Sequence, residues 1–367
     1  METWVLSRHD VAEVVAAVGR DALMRRIIDR LAQGLAEIGR GERELSPPRG
    51  GFERSDPVPG IWEWMPHREP GDHITLKTVG YSPANPARFN LPTIVGTVAR
   101  YDDTTGALTA LMDGVLLTAL RTGAASAVAS RLLARPDSRT LGLIGTGAQA
   151  VTQLHALSLV FPLERVLVWD SEPAHRDSFA RRAAFTGLPV EIAPPHTIAA
   201  QADIITTATS VPQGMGPVLP DTDGIRPHLH INAVGADLVG KTELPLSLLR
   251  RAHVHPDHPQ QALHEGECQR LSAHDLSPAL PDLCADAQRA TPHQRALTVF
   301  DSTGFALQDA LAMEVFLEVA AERDLGMRLP IEHHPADALD PYALHPRRPA
   351  QHPPRDREQP LAVAPAR

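Results

Sequence analysis

The sequence predicts an α/β protein: a doubly wound parallel sheet joined to a second, α+β unit. Three observations predict it. Short apolar strands alternate with helical stretches from about residue 130 to 315, the order that folds into a parallel sheet covered by helices on both faces. A glycine-rich turn stands between the first of those strands and the helix that follows. Ahead of them a helical pattern gives way to β-alternation, the mark of a separate unit. The 367 residues suffice for about two domains of ~150 residues.

The elements follow in order. Val14, Val18, Leu23, Ile27, Leu31, Leu35 and Ile38 recur at helical spacing, with a break near Gly19. Residues 41–60 carry four prolines and the Gly50-Gly51 pair, which predicts a loop. Residues 73–79 and 93–101 alternate as strands, and a turn at 102–106 leads into a third strand at 107–112. The Ala-rich stretch 121–135 reads as a helix stopped by Pro136. Strands are then predicted at 141–144, 165–169, 202–207 and 228–234, with helices at 149–159 and 171–184. The last 37 residues hold 8 of the 34 prolines, so an irregular tail is expected there.

Composition excludes several classes. A formal net charge of −9, with arginines interleaved among acids, gives no footprint for nucleic acid. No stretch approaches ~20 uncharged apolar residues, and charges interrupt the first 20, so neither a membrane span nor a secretory leader is expected. Cys268 and Cys284 are isolated, which favours a reducing compartment, the cytoplasm. His253, His255 and His258 are the nearest approach to a metal pattern, but no Cys or carboxylate spacing completes it. The expected partner is a small molecule.

Gly145-Thr146-Gly147-Ala148-Gln149-Ala150 fits G-x-G-x-x-A between an apolar strand and a helical stretch. In that pattern Gly145 makes the tight turn, Gly147 admits a pyrophosphate to the backbone, and Ala150 lets helix pack on strand. The helix N-terminus supplies N–H donors and positive dipole. Asp170 ends the next strand, 20 residues past Ala150, where a carboxylate accepts from an adenosine ribose and repels a 2′-phosphate. NAD is therefore the expected cofactor. The competing interpretation is a glycine turn followed by an ordinary capping Asp.

Residues 117–125 around Arg121, residues 144–150, residues 230–237 ending in Asp237, and residues 300–309 are similar to the ornithine cyclodeaminase and μ-crystallin family. Residues 60–66 around Glu63, residues 240–244 and residues 265–269 resemble the bacterial ornithine cyclodeaminase branch in particular. The resemblance implies a Rossmann domain inserted into a substrate-binding and dimerisation domain. That gives expected boundaries of 1–128 with 316–345, 129–315, and a tail at 346–367. It also implies at least a homodimer. Two departures stand out: Leu238-Val239 replaces the family's usual Cys-Pro or similar pair, and Gly80 replaces a common Asn.

The resemblance implies that Arg49, Lys77 and Arg121 bind a substrate carboxylate, Arg49 being preferred over Arg54 for the first. Charged donors suit that task, and a charge at Arg121 inside an apolar run must be paired or face a ligand. Thr93 adds a hydroxyl to the same region. Asp237, past the C-terminal end of a strand, is the expected proton carrier. Glu63 is implied to face the distal amine of a diamino acid and is the best specificity marker in the sequence, although alternation with Trp62 and Trp64 alone would place it on a solvated strand face. Thr207, Lys241 and Thr303 join the glycine turn as expected cofactor contacts; Lys241 reads equally as an ion-pair partner of Asp237 or a surface lysine. The function implied is an NAD-dependent ornithine cyclodeaminase. It would convert L-ornithine to L-proline and ammonia by internal hydride transfer through an imine and a cyclic ketimine. L-lysine is the neighbouring substrate. Rivals are an amino-acid dehydrogenase or ketimine reductase, and a μ-crystallin-like binding protein without turnover.

Overall fold

The structure is a computed structural model, described here for residues 2–343; the tail expected at 346–367 lies outside them. Two seven-stranded sheets organise the described residues. The first unit opens with β1 (Thr3–Leu6), α1 (Arg8–Val18) and α2 (Arg20–Gly39). Gly19, at φ +85°, makes the expected break between the two helices. Then come β2 (Gly50–Arg54), β3 (Gly60–Glu69), β4 (His73–Tyr81), α3 (Asn85–Phe89), β5 (Ile94–Asp102), β6 (Leu108–Asp113) and α4 (Val115–Leu133).

The second unit alternates: β7 (Thr140–Ile144), α5 (Ala148–Ser158), β8 (Arg165–Trp169), α6 (Pro173–Ala183), β9 (Val190–Ile192), α7 (Pro195–Gln201), β10 (Ile204–Thr207), β11 (His230–Ala233). It continues through α8 (Leu246–Arg251), β12 (His253–Pro256), α9 (Pro259–Glu265), α10 (Leu280–Ala285) and β13 (Thr298–Asp301). Helix α11 (Ala306–Glu322) and β14 (Met327–Leu329) then return to the first unit, where β14 pairs with β1.

The first sheet runs β14-β1-β6-β5-β4-β3-β2, antiparallel except where β1 lies beside β6. The second runs β12-β13-β11-β10-β7-β8-β9, with every pairing parallel. Chain order reverses across β7 and β10, which opens a crevice at their carboxyl ends, the position where such sheets bind ligands. The α/β class and the doubly wound Rossmann sheet are thus present. One core of buried aliphatic residues joins α2, α4 and α11 to Phe300 of β13, so the units share a hydrophobic interior.

Three expectations change. Part of the predicted 41–60 loop is strand β2: Gly50 and Gly51 lie so close to β3 that a Cβ on Gly50 would stand 2.5 Å from the Trp64 ring. Glycine here serves close sheet packing rather than a turn. Helix α4 begins six residues earlier than predicted, so Arg121 lies inside the helix rather than at its start. Both expected unit boundaries fall within helices, α4 and α11; we propose joints at the loops following Leu133 and Asp301.

Among the described residues no helix is long and apolar enough to cross a membrane. Nor does any group of three or more His, Cys, Asp or Glu among them suit a metal ion. His253 and His255 meet His293 edge-on, with ring centroids 4.6 and 4.8 Å apart, while His258 caps α9 and bonds the Ser46 carbonyl.

Candidate active site

Three elements of the first unit converge on one carboxylate. Lys77 of β4 and Arg121 of α4 both reach Asp309 Oδ1 of α11, each at 3.1 Å, and all three residues are buried. Arg121 also donates to Gln308 Oε1 at 2.9 Å. Gly304, at φ +75°, leaves the room that the guanidinium needs, since a Cβ there would collide with it. Two cations on one carboxylate leave a formal charge of +1 in a buried cluster, a setting that favours an anion. Burial, then the Arg121 charge, pulls Lys77 down to about 8 despite Asp309.

The opposite polarity stands nearby. Arg49 lies between Glu63, at 3.3 Å, and Glu265, at 2.9 Å, and its other terminal nitrogen donates to the Thr303 and Gly304 carbonyls. One cation between two carboxylates leaves a formal −1. The Arg49–Glu265 approach is close but poorly aligned, so Glu265 Oε1 has no hydrogen-bond donor. Burial raises the Glu265 carboxyl, and Glu63 adds to the rise against the pull of Arg49. Asp237 is close enough for its charge to act on both Arg49 and Glu265. Its side chain is 40% exposed and accepts from Lys241 Nζ at 3.1 Å.

Strand alternation puts Glu63 on the inner face with Met65, opposite Lys77 and Val79; Trp62 and Trp64 take the outer face. The solvated-face interpretation of Glu63 is therefore reversed. Gly80 is paired with Trp62 on the outer face, so its departure from the family does not touch this pocket. Arg54 bonds Ser82 Oγ at 2.6 Å instead of joining the cluster. Thr93 is half-buried ahead of β5, and its carbonyl accepts from Ser82.

The glycine turn has the form a dinucleotide needs. Gly145 has φ +89°, with the Ala208 carbonyl 2.5 Å from where a Cβ would stand. Gly147 faces open space, and no side chain caps the N-terminus of α5, so its N–H groups are free for a pyrophosphate. Ala150 is buried under the helix; Ala148 is exposed, and Gln149 bonds back to the Ala119 carbonyl and Thr152. Asp170 Oδ2 accepts from Thr146 N at 2.6 Å and Oγ1 at 3.0 Å, which ties the acidic residue to the turn. The Thr207 hydroxyl at the crevice is buried without a partner. These residues fit NAD.

The two other expected cofactor contacts are engaged by protein groups. Lys241 is engaged by Asp237 and sits over the Tyr81 ring at 5.6 Å; burial pulls its pKa down, but Asp237 and Glu243 outweigh that and hold it charged. The Thr303 hydroxyl donates to Asp257 Oδ1 and accepts from Gln261. Sequence reasoning missed Asp309, Glu265, Asp257 and Gln261 as site residues. For Asp309 the available signal was a carboxylate within the apolar run of α11, which demands a buried partner.

The parallel sheet, the glycine turn and the two-signed pocket define a dinucleotide-dependent enzyme built of two units. The chain belongs to the ornithine cyclodeaminase/mu-crystallin family, whose model matches residues 8–324. It is 54% identical over 344 residues to an L-lysine cyclodeaminase of Streptomyces rapamycinicus, covering 94% of this chain and all of the relative. A solved lysine cyclodeaminase, described as recognising L-lysine, L-ornithine and L-2,4-diaminobutyric acid, is 82% identical with a TM-score of 0.93, over 94% of this chain and 100% of that one. An archaeal alanine dehydrogenase dimer with bound NAD is 29% identical with a TM-score of 0.80, over 90% of this chain and 100% of that one.

Proposed function

We propose that the protein is an NAD-dependent cyclodeaminase acting on L-lysine, forming the saturated six-membered cyclic amino acid, with a secondary ring amine, and ammonia. The observation that carries this reading is the pair of opposite charge excesses. The Lys77–Arg121–Asp309 group is formally +1 and the Arg49–Glu63–Glu265 group formally −1. A diamino acid has the matching polarity, a carboxylate at one end and an ammonium at the other. Lysine rather than ornithine is supported by the 54% and 82% identical lysine cyclodeaminases, which revises the expectation of ornithine.

When bound, NAD supplies a reversible acceptor for the hydride at Cα, so the reaction ends without net redox change. Lys77 and Arg121 hold the substrate carboxylate, and Asp309 keeps both cations aimed at it. Glu63 and Glu265 bind the distal ammonium, with Arg49 holding the two carboxylates in place. Asp237, half in solvent and steadied by Lys241, takes the proton from the α-ammonium and returns protons as ammonia leaves. Asp170 selects NAD over its 2′-phosphorylated form. We also propose a homodimer through the outer face of β2 and β3, where Phe52, Trp62 and Trp64 are 54%, 39% and 42% exposed.

The test is to incubate the protein with L-lysine and substoichiometric NAD⁺, following ammonia, cyclic product and NADH. Ammonia and cyclic product in equal amounts, beyond the NAD⁺ supplied and without NADH, support the reading. NADH rising with a keto acid would make the protein a dehydrogenase, and faster turnover of L-ornithine would restore the smaller ring.

A further inference from the structure

We propose that Glu243 is a positioning residue whose carboxylate fixes Asp237 relative to the glycine turn, an inference that rests on Asp237 as proton carrier. Glu243 is fully buried. Its Oε1 accepts from Thr209 N and Thr209 Oγ1, both at 2.7 Å, and its Oε2 accepts from Gly235 N at 2.8 Å. Thr209 lies in the loop leaving β10, and Gly235 is the second residue of the loop leaving β11, two residues before Asp237. One side chain therefore ties together the exits of two adjacent strands.

Both exits belong to the site. A Cβ on Gly145 would stand 2.5 Å from the Ala208 carbonyl and 3.0 Å from Thr209 Cγ2, so the glycine turn packs on the loop that Glu243 holds. A Cβ on Gly235 would collide with the Glu243 carboxylate, so the second loop approaches as closely as a backbone can. The Glu243 charge also helps keep Lys241, the partner of Asp237, in its ammonium form. From behind, Glu267 accepts from Glu243 N at 2.6 Å and Leu244 N at 3.1 Å, which anchors the segment.

The donor pattern specifies a carboxylate. Each of the three groups facing Glu243 points a hydrogen at it in this arrangement, so both oxygens must accept. An amide would turn its NH₂ against either Gly235 or Thr209 and release one of the two loops. Burying a carboxylate is costly unless it is bonded in this way.

The experiment uses the full chain loaded with NAD, with rates normalised to bound NAD. For Glu243→Gln, kcat should fall about 10- to 100-fold through misplacement of Asp237 while KM for L-lysine moves by less than about threefold. Thr209→Val, which removes one donor and keeps the shape, should lower kcat several-fold and provides the test if Glu243→Gln does not fold. An unchanged kcat in either variant would overturn the proposal. So would lost NAD stoichiometry, or kcat and KM changing together, since these mark a general structural role. Asp237→Asn separates the premises: if it remains active, the proton-carrier reading fails whatever Glu243 does.

Discussion

Lys77 shows how a buried charge becomes a working part. Burial and Arg121 draw it down to about 8, so the ammonium that a carboxylate needs is present below that pH and lost above it. KM for L-lysine should therefore rise between about pH 7.5 and pH 9.5, and Lys77→Arg, which stays charged, should flatten the rise. Steady-state kinetics across that range checks both. Asp309→Asn would leave two buried cations facing each other, and we expect a loss of about 3–5 kcal/mol in urea unfolding. Arg121 was legible as a cation in an apolar run, and Lys77 only through the family resemblance. Asp309 was not, because its bond to Arg121 spans 188 residues and no local motif records it. Asp170 and the glycine turn were legible because strand, turn and acid are local and ordered along the chain.

At the scale of elements, alternation and period identified most strands and helices, and departures arose where tertiary contact overrode local pattern. Strand β2 exists because two glycines let it lie against the tryptophans of β3, although the surrounding prolines suggest a loop. The reversal at Glu63 has a related cause: the outer face of the sheet is aromatic, so apolarity did not mark the inner side. Helices α4 and α5 meet at Gly123, where a Cβ would stand 2.5 Å from the Thr152 carbonyl. Gly123→Ala should push the helices apart and cost about 1–3 kcal/mol, measurable by thermal or chemical unfolding. A smaller loss would mean that the helix pair gives way without strain.

For the whole molecule, the half-exposed aromatic face of β2 and β3 is the surface proposed for dimer formation. Trp64→Glu should convert the dimer to monomer in light scattering, and an unchanged mass would place the interface elsewhere. The alternating order of the second unit made its parallel sheet legible, whereas the seven-stranded first sheet was only partly so. Two of its strands, β1 and β14, are four and three residues long and lie at opposite ends of the described chain. Too short to show a period, they acquire their identity only by pairing.

Helix α11 sets an order of assembly during synthesis. Lys77 and Arg121 emerge from the ribosome well before Asp309, the carboxylate that neutralises one of them, and the entire parallel sheet is translated in between. A nascent chain arrested after β13 holds every strand of the dinucleotide unit but carries two unmatched cations where the anion pocket will form. The pocket can close only after the cofactor cradle has been translated, and a chain released before α11 cannot complete it.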